Sequence, residues 1–199
     1  MSWRRKAQSC LLLGDLGKQA DIHRVAQDFL ATDKPLHLLL NNAGVVNTHR
    51  KLSGDGIEET FAVNHLAYFL LTELLRDRIV QSAPARIVSV ASEAHTFVKG
   101  EQFDDIEFAT TPYKTFKVYG HSKLCNILWT RHLAKQLQGT GVTVNCVHPG
   151  PVNTGLGHQD HVIIGKIVGF ILKPFFRTPA RGQKMTRRLS GFGSLAKRI

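Results

Sequence analysis

Three polar residues have the types and spacing of a proton-transfer site. Tyr119 and Lys123 are four residues apart in the segment VYGHSKLCN, and Ser92 ends the apolar run ARIVSVAS further upstream. A helix would place Tyr119 and Lys123 on one face. There the ammonium group should lower the pKa of the tyrosine from its usual value of about 10. With a serine hydroxyl to hold the substrate oxygen, the three side chains could exchange a proton with an alcohol or a carbonyl.

Other polar residues follow or interrupt apolar runs, and each has an alternative interpretation. Y-x-x-x-K alone also fits a surface tyrosine and lysine on an ordinary helix. Asn42, Ala43 and Gly44 follow an apolar run, where small residues let a flat ligand approach the backbone or form a plain turn. Asn64 lies in the apolar segment FAVNHLAYFLL, so its amide needs hydrogen-bond partners, which could be local.

The elements that must position these residues alternate along the chain. Near-continuous apolar runs, typical of buried parallel strands, occupy residues 36–44, 85–92 and 142–150, with a weaker run at 10–16. Helical periodicity covers residues 22–30, 57–74 and 119–138.

This alternation predicts right-handed βαβ crossovers and therefore an α/β fold with a doubly wound parallel sheet, in a single domain over residues 1–199. Ligands bind at the carboxyl ends of strands in such sheets. Asn42–Gly44, Ser92 and residues 148–154 should thus line one crevice. The turn at Pro149–Thr154 could also simply terminate its strand.

The composition favours a soluble globular protein from a reducing compartment. The chain has 43% hydrophobic and 21% charged residues. Its three cysteines form no C-x-x-C pair. The ten histidines show no metal-ligand spacing, so no metal site is predicted. Neither a signal peptide nor a membrane-spanning segment is predicted. We expect an intracellular protein, in the cytoplasm or on the cytosolic face of a membrane such as the endoplasmic reticulum.

The net charge of +11 is concentrated partly in the last 23 residues. A basic balance can indicate nucleic acid, an anionic membrane or a phosphorylated cofactor. No nucleic-acid-binding motif accompanies it, so we interpret residues 183–199 as a divergent or disordered basic tail. The apolar segment Val162–Phe176 could be a lid over an apolar substrate, a membrane-facing patch that supports peripheral membrane association, or a core helix.

Taken in order, the segments resemble the short-chain dehydrogenase/reductase family, and within it the retinol-dehydrogenase-like branch. The resemblance covers about residues 11–178. It rests on LLLNNAG, FAVNHLAYFLLTELL, APARIVSVASEAH and VYGHSKLCNILWTRHLAKQLQGTGVTVNCVHPGPVNT, together with the acidic run end Gly14-Asp15-Leu16. It implies a Rossmann-like sheet and hydride transfer between a nicotinamide cofactor, NADP or NAD, and an apolar alcohol or carbonyl such as a retinoid or lipid aldehyde.

The resemblance also implies a role for each residue that it matches. Tyr119 would be the general acid/base, and Lys123 would lower its pKa and hold the nicotinamide ribose. Ser92 would orient the substrate oxygen, and Asn64 would help hold a water that links Lys123 to solvent. The implied cofactor-binding set is Asp15 and Leu16 near the adenine, Asn42, Ala43 and Gly44 at the ribose, and Pro149, Gly150, Val152 and Thr154 near the nicotinamide.

The chain departs from the family pattern at both ends. Before Leu11 there is no strand–T-G-x-x-x-G-x-G–helix unit, which in the family grips the pyrophosphate. We therefore expect a sheet that lacks its first βαβ unit and exposes a strand edge, as in a truncated isoform or an incomplete gene model. An active oxidoreductase and a catalytically impaired interaction or unstable product both remain open, as does a homo-oligomer. The residues that distinguish NAD from NADP would lie in the missing unit, and the branch slightly favours NADP.

Overall fold

The computed structural model describes residues 10–100 and 102–148. Several sequence-based predictions lie outside these ranges. They are the cofactor contacts at Pro149, Gly150, Val152 and Thr154, the segment Val162–Phe176 and the basic tail at 183–199.

Within the described ranges, three parallel strands form the sheet. They are β1 (Leu38–Asn41), β2 (Ala85–Val90) and β3 (Val142–Val147), in the order β1-β2-β3. Leu39 is in register with Ile87, which in turn is in register with Val144. These three residues belong to the apolar core. The central strand β2 is buried along almost its whole length, because it has a neighbouring strand on each side.

The helices that were predicted from periodicity pack beside one another on this sheet. They are α1 (Gln19–Leu30), α2 (Glu59–Phe61), α3 (Ala67–Gln81) and α4 (Thr115–Gln136). α1 packs against α3, α3 packs against β1 and β2, and α4 packs against β2 and β3. Leu75, Ile79, Trp129 and Leu133 fill the layer between helices and strands. Two 3₁₀ turns, Glu93–Phe97 and Phe103–Asp105, connect β2 to α4.

A π-helical turn, Ala62–Leu66, separates α2 from α3 where the sequence predicted one continuous helix. Its hydrogen bonds run from residue i to i+5, as in the bond from Ala67 N to Ala62 O. The Glu58 carboxylate caps the start of α2 by accepting from Thr60 N at 3.0 Å and from Phe61 N at 2.7 Å.

The prediction of a strand at residues 10–16 is wrong. This segment is not a strand, and the side chains of Leu11 and Leu13 are 80% and 71% exposed. The physical reason is pairing, because a strand needs a neighbour for its backbone groups. Within the described residues, β1 pairs with β2 alone. Leu38 and Leu40, which share one face of β1, are 43% and 38% exposed, whereas Leu39 and Asn41 on the other face are buried.

Candidate functional site

Ser92 and Tyr119 meet because α4 lies directly against the turn that follows β2. Ser92 caps the 3₁₀ turn, with its hydroxyl accepting from Ala94 N at 3.2 Å. A Cβ on Gly120 would overlap the Ala94 carbonyl oxygen, so the close approach of α4 requires glycine at this position. Ser92 thus lies close enough to Tyr119 for hydrogen bonding to the phenolate to lower the pKa of that group.

The sequence predicted that the pKa of Tyr119 is lowered, and the direction of this prediction is wrong. Burial raises the pKa of Tyr119, and the hydrogen bond from Ser92 opposes this shift only in part. Lys123 Nζ lies over the ring face of Tyr119, 5.6 Å from its centroid. The phenol therefore keeps its proton at neutral pH.

Lys123 is a buried amine between two aromatic rings. Its residue is 2% exposed, and Nζ donates to the carbonyl oxygen of Val90 at 3.0 Å. Nζ lies 5.5 Å from the ring centroid of Tyr68 and 5.6 Å from that of Tyr119. Burial lowers the pKa of Lys123 to about 8, while Cys146 acts in the opposite direction. Its charge therefore changes close to physiological pH.

Asn64 joins the π-helical turn to two other parts of the fold. Its Oδ1 accepts from Val45 N at 2.8 Å, and its Nδ2 donates to Val45 O at 3.0 Å and to Ser122 Oγ at 3.1 Å. Its main-chain oxygen accepts from Asn126 Nδ2 at 2.8 Å. The side-chain partners are far from Asn64 in sequence, so the local hydrogen bond considered as an alternative is not what the structure shows.

The segment Asn42–Gly44 lies beside Lys123, at the crevice predicted from the strand ends. A Cβ on Gly44 would be 3.6 Å from Lys123 Nζ and 3.2 Å from Asn64 Oδ1. Glycine therefore keeps open a space that a side chain would narrow. Asn42 and Ala43 are exposed, and Ala43 O accepts a hydrogen bond from Tyr68 at 2.6 Å.

Asp15 and Leu16 lie in a separate, exposed turn. Asp15 Oδ1 accepts from Gly17 N at 2.8 Å, and Asp15 Oδ2 is 3.8 Å from Lys18 Nζ, with both side chains 55% exposed. Leu16 lines an apolar cavity of about 200 Å³. A Cβ on Gly17 would lie 3.9 Å from Val63, the neighbour of Asn64 in the chain. The turn thus adjoins the π-helical turn without sharing the hydrogen bonds of Asn64.

Four residues of the site were not predicted from sequence: Tyr68, Ser122, Asn126 and Cys146. Asn126 follows Lys123 by three positions, and Tyr68 follows Asn64 by four, so helical spacing could have placed both near the site. Cys146 sits near the end of β3, where burial raises the pKa of its thiol and Thr130 and Lys123 oppose that shift. Nothing in its sequence context distinguished it from a core residue.

The arrangement suits proton transfer beside a cofactor that carries hydroxyl groups. An ammonium group has three N–H donors, and that of Lys123 faces the space beside Gly44 as well as Val90 O. In residues 10–100 and 102–148, no three His, Cys, Asp or Glu side chains are grouped as metal ligands would be. None of the helices in the described ranges is long and apolar enough to cross a membrane.

Sequence comparisons identify relatives that resemble most of this chain. The model of a family described as enoyl-(acyl carrier protein) reductase matches residues 3–162. Retinol dehydrogenase 12 of Mus musculus is 44% identical over 168 residues, which are 84% of this chain and 52% of that protein. Human retinol dehydrogenase 13 is 36% identical over 93% of this chain and 56% of its own length. The chain thus spans about half the length of the curated relatives it matches.

Solved structures with the same fold are more distant in sequence. The Pseudomonas aeruginosa RhlG/NADP active-site complex superposes with a TM-score of 0.67 at 21% identity, covering 94% of this chain and 70% of that one. A short-chain dehydrogenase/reductase of unknown function from Caenorhabditis elegans, solved with cofactor, gives a TM-score of 0.66 at 22% identity over 92% and 70%. These similarities confirm the predicted Rossmann-like α/β fold.

Proposed function

Because the chain belongs to the short-chain dehydrogenase/reductase family, we propose that it carries the proton-transfer part of a nicotinamide-dependent oxidoreductase. The proposed reaction interconverts an apolar carbonyl and the corresponding alcohol. The retinol dehydrogenases that it resembles suggest a retinoid or another lipid aldehyde as the substrate. NADP is the preferred cofactor in this proposal, with NAD as the alternative.

The placement of Tyr119 beside both Ser92 and Lys123 is the observation that carries the proposal. Because burial raises the pKa of Tyr119, its phenol is protonated at neutral pH and can donate that proton to a carbonyl oxygen. Ser92 can donate a second hydrogen bond to the same oxygen as it gains negative charge. The pair therefore favours carbonyl reduction near neutral pH, and alcohol oxidation at higher pH.

The residues around this pair fit a nicotinamide ribose. Lys123 and the open backbone at Asn42, Ala43 and Gly44 would hold its hydroxyl groups. The cofactor, when bound, supplies or accepts the hydride. Asn64 keeps its proposed role of supporting the connection from Lys123 to solvent. Asp15 and Leu16 near the adenine, and Pro149, Gly150, Val152 and Thr154 near the nicotinamide, complete the proposed cofactor-binding set.

Nicotinamide oxidation by the purified 199-residue chain tests this function. With NADPH and retinaldehyde, we expect loss of nicotinamide absorbance, and Tyr119→Phe should slow it by roughly 100- to 10,000-fold. Tyr113→Phe is the matched control, because its phenol hydrogen-bonds Glu58 at 3.1 Å, away from Lys123. A rate that is the same in Tyr119→Phe as in wild type would contradict the assignment.

Calorimetric titration with NADPH and NADH tests cofactor binding separately from turnover. The proposal expects saturable binding that Lys123→Met weakens, with NADPH the tighter ligand. Absence of binding to either cofactor would instead support the catalytically impaired alternative. Equal affinities for NADPH and NADH would contradict only the proposed preference for NADP.

A further inference from the structure

Tyr68 contacts both the catalytic lysine and the backbone beside it, although the family resemblance assigns it no role. It is 2% exposed in the first turn of α3. Its hydroxyl donates to Ala43 O at 2.6 Å, and its ring centroid lies 5.5 Å from Lys123 Nζ. One side chain thus spans the distance from Lys123 to the segment Asn42–Gly44.

The position of the ring matters because a buried ammonium group is costly without compensating interactions. The hydrogen bond to Val90 O satisfies one donor of Lys123. The face of an aromatic ring carries negative electrostatic potential and attracts a cation within about 6 Å of its centroid. Tyr68 offers such a face from α3, whereas Lys123 belongs to α4.

We propose that Tyr68 is a positioning residue whose ring face keeps Lys123 protonated and whose hydroxyl holds Ala43 against it. The consequence for turnover rests on the function proposed above, but the effect on Lys123 does not. If the ring face loses electron density, Lys123 should release its proton at lower pH. If only the hydroxyl is lost, the protonation of Lys123 should change little.

In the described residues, Tyr68, Tyr119, Cys146 and His65 lie near Lys123, and all four are neutral at neutral pH. Burial raises the pKa of Tyr68 far above its usual value, so this phenol does not ionise near neutral pH. Burial also raises the pKa of the Cys146 thiol on β3 and that of Tyr119 on α4, and it lowers the pKa of His65 in the π-helical turn. None of these groups supplies a fixed negative charge that would make the ring of Tyr68 redundant.

An NMR titration of the full chain measures the proposed effect without requiring turnover. The chain is labelled with ¹³C-lysine, and the Cε signal of Lys123 is assigned by its loss in Lys123→Met. Wild type should titrate near pH 8, and Tyr68→Phe should titrate close to wild type. Fluorinated phenylalanines at position 68 keep the shape of the ring but progressively remove electron density from its face. They should lower the midpoint stepwise, by roughly one pH unit in total.

Lys117 is the internal control, because its Nζ lies 5.7 Å from the ring centroid of Phe108 rather than Tyr68. The chemical shift of its Cε signal should be the same in all variants at position 68. A Lys123 midpoint that stays constant through the fluorinated series would overturn the proposal. So would Tyr68→Phe lowering the midpoint as much as the most fluorinated ring, because the hydroxyl would then be responsible. Either result leaves the assignment of Tyr119 as acid/base untouched.

Discussion

Two parts of the molecule that would serve the same cofactor are built in opposite ways. In the cluster around Lys123 and Asn64, these two residues are 2% and 0% exposed, and the hydrogen bonds join four separate segments of the chain. The turn at Asp15 is exposed, and its carboxylate bonds residues within three positions in sequence. The first is held by tertiary packing, whereas the second is held by local interactions.

The difference shows where the geometry of the site is fixed before a ligand arrives. Buried hydrogen-bond networks hold side chains in one arrangement, because breaking a bond leaves an unsatisfied group in a low-dielectric interior. An exposed turn exchanges its bonds with water at little cost. The nicotinamide side of the proposed site is therefore preorganised, and the adenine side is defined mainly by its own turn.

The largest expected contrast comes from replacing one polar side chain in each region by leucine. Asn64→Leu removes the side-chain hydrogen bonds to Val45 N, Val45 O and Ser122 Oγ. It should therefore lower the free energy of unfolding by about 3–5 kcal/mol. Asp15→Leu, the matched control, should lower it by less than about 1 kcal/mol. Urea unfolding at constant pH measures both, and similar losses would remove the distinction between the regions.

A second contrast concerns the pH dependence of stability. The pKa of Lys123 is about 8 in the folded protein against 10.5 for an ordinary lysine. Between these values the unfolded chain binds the proton that the folded chain has released, so this group adds stability as the pH rises from 8 towards 10.5. By pH 9.5 the gain relative to pH 7 should be about 2 kcal/mol.

Lys123→Met should lack this gain, and Lys18→Met, at a half-exposed position, should retain it. Unfolding curves at pH 7, 8 and 9.5 compare the three proteins. The buried tyrosines and Cys146, whose folded pKa values are raised, act in the opposite direction above pH 9. The effect of the tyrosines is common to wild type and both variants, whereas Lys123→Met also removes the charge that lowers the pKa of Cys146. Parallel pH profiles for wild type and Lys123→Met would mean that Lys123 is not desolvated.

A third contrast uses two glycines with the same contact distance. A Cβ on Gly44 would lie 3.2 Å from Asn64 Oδ1, and a Cβ on Gly17 would lie 3.2 Å from Asp15 Oδ1. The Asn64 amide is fixed by its hydrogen bonds, whereas the Asp15 carboxylate can rotate into solvent. Gly44→Ala should therefore cost about 1–2 kcal/mol, and Gly17→Ala less. Thermal unfolding compares them, and a larger loss for Gly17→Ala would reverse the comparison.

The smallest effect is expected from the exposed pair of Asp15 and Lys18. Asp15→Asn keeps an oxygen that can accept from Gly17 N and removes only the charge. The free energy of unfolding should change by less than about 0.5 kcal/mol, at low and at high salt, because exposed pairs are solvated and screened. A strong salt dependence in wild type that disappears in Asp15→Asn would show a tighter ion pair than the structure contains.

The sequence predicted the elements whose signal is internal to one segment. β2 has an apolar run that is buried along almost its whole length, β3 pairs with it in register, and α1 has a clear helical period. The run at 10–16 has a similar composition, yet it is not a strand. Pairing depends on a neighbour, and apolar composition does not reveal whether that neighbour is present.

The same limit applies within the site. The spacing of Tyr119 and Lys123 predicted that they share a helix face, and the structure places them so. The direction of the Tyr119 pKa shift was not predictable, because it depends on how deeply tertiary packing buries the phenol. Tyr68 was not singled out either, because an aromatic residue in an apolar helix has the same pattern whether it packs in the core or faces a cation.

The π-helical turn at Ala62–Leu66 has a consequence for insertions and deletions. It accommodates one more residue than a regular α-helix would over the same rise. A single deletion within the turn would therefore leave the flanking turns in register, whereas a deletion in the regular part of α3 would rotate the preceding segment, with Asn64, by about 100° about the helix axis. Asn64 would then leave the face that meets Val45 and Ser122. The length of this helix is therefore fixed to the residue in its regular part, although the turn would permit one residue fewer.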